Sequence, residues 1–138
     1  MALTNKDYKE RLIDKKIERY LKVFGAISIE GPKWCGKTWT SLNHANSKKM
    51  LDDENIRNLA NLDIKFLFDG ESPTLIDEWY LVPKIWDAVR RECDNTTKTG
   101  NYILTGSTTL PSKKTKRRSS SFRCGKNCTH EYVSNEFV

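Results

Sequence analysis

No stretch of this chain comes near the roughly 20 consecutive apolar residues that a membrane-spanning helix needs. The amino end, Met1-Ala2-Leu3-Thr4-Asn5-Lys6-Asp7, has no hydrophobic signal core. Both absences lead to the expectation of a cytoplasmic address. Apolar residues are modest at 37%, against 30% charged, and 138 residues suit a single domain with one core. Cysteines number only four, Cys35, Cys93, Cys124 and Cys128, and in a reducing compartment they read as free thiols. Cys124-x-x-x-Cys128-x-His130 offers three metal ligands, whereas a closed structural zinc site takes four. Zinc is therefore not expected.

Charge is present but unevenly placed. Residues 1–110 hold 17 basic and 16 acidic side chains, while residues 111–138 hold seven and two, so the tail supplies most of the net +6. A basic tail fits nucleic-acid contact or an unstructured charged end. The run Lys113-Lys114-Thr115-Lys116-Arg117-Arg118-Ser119-Ser120-Ser121 lacks apolar periodicity, which favours disorder.

The densest chemical signal lies earlier. Gly31-Pro32-Lys33-Trp34-Cys35-Gly36-Lys37-Thr38 is a complete G-x-x-x-x-G-K-T phosphate-binding loop. The preceding Gly25-Ala26-Ile27-Ser28-Ile29-Glu30 suits a buried strand, and Thr38 through His44 can run as a helix. In that context the loop's backbone N–H groups would surround a β-phosphate. Lys37 would reach the β- and γ-phosphates, and the Thr38 hydroxyl would sit on Mg²⁺.

A nucleotide site also needs an acidic element. Thr74-Leu75-Ile76-Asp77 reads as a third strand ending in the pair Asp77-Glu78. Asp77 would hold Mg²⁺ through its water shell, and Glu78 would polarise the water attacking the γ-phosphate. A fourth strand, Tyr102-Ile103-Leu104-Thr105, carries polar Thr105 and is followed by Gly106-Ser107. This order fits P-loop proteins with an extra strand between the loop strand and the acidic strand. Thr105, with Ser107 second, is the candidate sensor of the γ-phosphate or the water.

Around these motifs, residues 7–22 carry Tyr8, Leu12, Ile13, Ile17, Tyr20 and Leu21 at helical spacing, expected as a lid on the sheet edge. Lys49-Met50-Leu51-Asp52 suits a short second strand, Ile56 to Leu62 a modest helix, and Pro83 can open a helix ending near Cys93. Alternating strands and helices predict a parallel sheet covered on both faces. Trp34, Trp39, Trp79 and Trp86 crowd the motifs. One could stack on adenine, though core or rim packing suits each better.

The strings FGAISIEGPKWCGKTWTS, SPTLIDEWYLVPKIWDAVR and NYILTGSTTL resemble the N-terminal ATPase core of AAA-like bacterial and archaeal P-loop ATPases that carry a C-terminal DUF4143 domain. The resemblance covers roughly residues 8 to 110. It implies ATP binding and Mg²⁺-dependent hydrolysis on an α/β P-loop NTPase fold. Tyr80 departs from it, since the family typically has glutamine there.

Beyond Leu110 the expectation is a tail with no further element, Tyr132, Val133, Phe137 and Val138 being too few to build one. Back-translated with a suitable choice of codons and shifted by one base, residues 121–132 can yield a His-Ser-Gly-x-Gly-Arg-Ile run like the family's next motif. That motivates a shifted reading frame near Lys113-Lys114. A fifth strand flanking the first would then be missing, leaving an unpaired edge and an ATPase of weak activity. The alternatives are a small basic nucleic-acid-binding protein with an incidental P-loop, and a small-molecule kinase. Asp77-Glu78 and Thr105 favour the ATPase.

Overall fold

The computed structural model describes residues 7–31, 36–107, 122–124, 128–130 and 132–133. Its elements run α1 (Leu12–Leu21), β1 (Ala26–Gly31), α2 (Lys37–His44), β2 (Ser47–Met50), α3 (Glu54–Leu62), β3 (Thr74–Asp77), α4 (Ile85–Asp94) and β4 (Tyr102–Ser107). Three short strands follow, β5 (Phe122–Cys124), β6 (Cys128–His130) and β7 (Tyr132–Val133). Two 3-10 segments, Ile64–Phe68 and Trp79–Leu81, lead into β3 and out of it.

The main sheet is ordered β2-β3-β4-β1-β7, and every neighbouring pair in it is parallel. Strand β4 therefore lies between the loop strand β1 and the acidic strand β3, as the sequence order suggested. Alternation of side chains along the strands splits the core in two. On one face Ile27, Ile29, Leu75 and Ile103 pack against Ile13, Ile17 and Ala45. On the other, Ala26, Ile76, Tyr102 and Leu104 meet Ala60, Leu67, Ile85, Val89 and Cys93. Helices thus cover both faces, the doubly wound arrangement expected of a parallel sheet.

Helix α1 sits differently from its expectation. Ile13 and Ile17 bury into the core beneath the sheet face, so the helix is a face-packed element and not a lid on the edge. Periodicity identifies the apolar side of a helix but says nothing about what lies opposite it. Strand β2 begins at Ser47, earlier than expected, because Ser47 to Met50 pair in register with Thr74 to Asp77.

The expectation that no element forms beyond Leu110 is corrected at three places. Strands β5 and β6 make an antiparallel pair, and β7 adds to the flank of β1 through Ser28↔Tyr132 and Ile29↔Val133. The site next to β1, expected to stay vacant, is occupied along those two residues. The mechanism is simple: an open edge offers unpaired backbone groups, and even two extended residues can use them. The basic run at residues 113–121 lies outside the described residues. No helix among the described residues is long and apolar enough to cross a membrane.

Candidate nucleotide site

Parallel register brings the predicted residues together. Gly31 pairs with Ser107 across β1 and β4, and Ile76 pairs with Leu104 across β3 and β4. Asp77 is one step beyond Ile76, which sets it beside Thr105. All these positions lie at the carboxyl ends of the strands, where open α/β sheets bind ligands.

Three side chains converge there. Asp77 is 5% exposed and Thr105 is fully buried. Asp77 Oδ1 accepts a hydrogen bond from Thr38 Oγ1 at 2.9 Å and another, short one from Thr105 Oγ1. A buried carboxylate needs such donors to hold its charge away from water. The pairing ties the end of the phosphate loop to both β3 and β4.

Gly36 closes the loop and caps α2 with φ +87°, a left-handed conformation that glycine adopts without penalty. Lys37 follows as the first residue of α2 and is 6% exposed. Its carbonyl accepts from Ser41 Oγ at 2.7 Å. Pro32, Lys33, Trp34 and Cys35 lie outside the described residues.

Glu78 also has a positive φ, 58°. It begins the turn that carries Trp79 and Tyr80, closed by Leu81 N–H donating to the Glu78 carbonyl at 3.1 Å. The Glu78 carboxylate, helped by burial, pushes the Tyr80 phenol up to about 12. Glu78 Oε2 is buried without a hydrogen-bond partner among the described residues. Glu78 therefore holds one unsatisfied acceptor.

Of the tryptophans, Trp79 and Trp86 form a tilted pair with centroids 5.0 Å apart and pack against the core. Trp39 is 41% exposed. Trp34 lies outside the described residues.

Sequence reasoning missed a cluster behind the loop. Asp14, 2% exposed, accepts from the Tyr8 hydroxyl at 2.8 Å and from the Arg11 backbone N–H at 2.6 Å. Its Oδ1 also lies 2.8 Å from His44 Nε2. The acid three residues after Arg11 has the spacing of a helix cap, which was a legible signal. Its bond to His44, 30 residues on, was not.

The residues fit Mg²⁺. A loop hydroxyl and an adjacent buried carboxylate form an all-oxygen donor set, the kind this hard cation takes while keeping several waters. Strand order, strand-end site and loop together define an α/β P-loop NTPase. The family model described as an AAA domain matches residues 23–132, and the chain belongs to that family. The match begins later and runs further than the resemblance visible in the sequence, reaching β7. No curated protein matches the chain.

Proposed function

We propose that this chain binds ATP with Mg²⁺ and hydrolyses it slowly. The convergence of the Thr38 and Thr105 hydroxyls on Asp77 carries this reading, because it joins the phosphate loop, the acidic strand and the intervening strand at one point. The loop amides and Lys37 bind the phosphates. Thr38 and Asp77 are the residues that would hold Mg²⁺, which when bound neutralises charge on the phosphate oxygens.

Glu78 orients the attacking water and takes its proton. The water oxygen bonds to the γ-phosphorus as the bond to the β,γ-bridging oxygen breaks, and ADP leaves with that oxygen. Thr105 orients the Asp77 carboxylate and is the candidate sensor of the γ-phosphate. Slowness follows from the Tyr80 phenol coupled to Glu78, which competes with the attacking water for the carboxylate.

The test is a melting shift with ATP and with ADP, each with and without Mg²⁺, alongside phosphate release. A Mg²⁺-dependent shift that disappears in Lys37→Ala supports the proposal. No shift with any nucleotide sinks it.

A further inference from the structure

Beside Gly36 stands the side chain of Arg11, the residue that precedes α1. A Cβ built on Gly36 would lie 2.5 Å from one terminal nitrogen of Arg11, 2.7 Å from the other and 3.0 Å from the central carbon between them. The Arg11 guanidinium thus rests directly against the last glycine of the phosphate loop.

Its position is held from behind. The Arg11 backbone N–H donates to Asp14 Oδ2 at 2.6 Å, and the Asp14 N–H returns a bond to the Arg11 carbonyl at 3.0 Å. Asp14 is in turn bound to Tyr8 and His44. His44 is the last residue of α2, the helix that Gly36 caps. One buried carboxylate therefore locks α1 onto α2 and sets the root of Arg11 relative to the loop.

The electrostatics of this placement point to an anion. The first turn of α2 contains no acidic residue, and its leading N–H groups present partial positive charge. Lys37 adds a second, buried cation at the next position. A guanidinium beside a helix N-terminus runs against the usual charge preference. A phosphate chain in the loop would meet Arg11, Lys37 and the helix amides together, and the planar fork of arginine suits phosphate oxygens.

We propose that Arg11 is a nucleotide-binding residue supplied by the same chain, contacting the phosphate chain of the nucleotide at the Gly36 end of the loop. This rests on the nucleotide-binding reading and adds a residue that the loop motif does not contain. It also gives Gly36 a second reason to be glycine, because any side chain there would displace the guanidinium.

The experiment measures binding of ATP, inorganic tripolyphosphate and adenosine to the full chain and to Arg11→Gln and Arg11→Lys, with melting of each protein without ligand. Arg11→Gln should weaken ATP and tripolyphosphate by about 10- to 100-fold, the worth of a charge-assisted hydrogen bond or two. Arg11→Lys should fall between, and adenosine binding and ligand-free melting should stay at the full chain's values. Unchanged tripolyphosphate binding in Arg11→Gln, with ATP binding by the full chain intact, overturns the inference and leaves the nucleotide reading standing. So does a loss confined to adenosine, or one matched by lower ligand-free melting in both variants. Failure of the full chain to bind either ATP or tripolyphosphate removes the nucleotide reading itself.

Discussion

His44 Nε2 lies 2.8 Å from Asp14 Oδ1, and the two side chains are 6% and 3% exposed. This contact joins the end of the helix behind the phosphate loop to the start of α1. Asp14→Ala would leave the Tyr8 hydroxyl, the Arg11 N–H and the His44 ring without their common acceptor. The expected loss is about 3 kcal/mol, the scale for breaking one side of a buried pair. Urea unfolding checks it, and a loss below about 1 kcal/mol would mean the pair contributes little.

Thr105→Val keeps shape and β-branching but removes the donor to Asp77. Stability should fall by about 1 to 2 kcal/mol, because Thr38 still serves the same carboxylate. Phosphate release should drop more steeply than nucleotide binding. Equal losses in both would assign Thr105 to the fold alone.

Tyr80→Phe should speed hydrolysis. It removes the phenol coupled to the Glu78 carboxylate, and an interaction of roughly 1.5 kcal/mol corresponds to about tenfold in rate. Nucleotide affinity should be unchanged. A slower variant would mean that the phenol holds Glu78 in its working orientation.

Alkaline titration should show three late phenols. Burial pushes Tyr8 and Tyr102 up to about 12, and the Glu78 carboxylate does the same for Tyr80. The folded state favours their neutral forms, so this stability is complete below the ordinary value of 10.0 and is lost as pH rises through about 12. Ultraviolet titration of the native chain against the unfolded chain reads the difference directly. Coincident curves would contradict it.

The phosphate loop, the acid pair and the fourth strand were readable because each is a local pattern of a few residues. Their meeting at Asp77 was readable too, since parallel register follows from strand order. What stayed hidden was what depends on side chains reaching between distant elements. Arg11 looks like any surface cation in the sequence, and only the packing of α1 on the sheet face brings it to Gly36. His44 gives no sign of Asp14, 30 residues away. Strand β7 was overlooked because two residues carry too little pattern, and the open flank of β1 selects them by backbone geometry alone.

The position of β1 in the sheet imposes an order on how the protein can be made. Both of its hydrogen-bonding partners, β4 at Tyr102–Ser107 and β7 at Tyr132–Val133, come far later in the chain. A ribosome releases the phosphate-loop strand long before either neighbour exists. Until residue 102 emerges, Ala26 to Gly31 can shelter only beneath α1 and α2, with both ladders of backbone groups exposed. The strand that leads into the phosphate loop thus waits longest for its partners and is open to wrong pairings during synthesis.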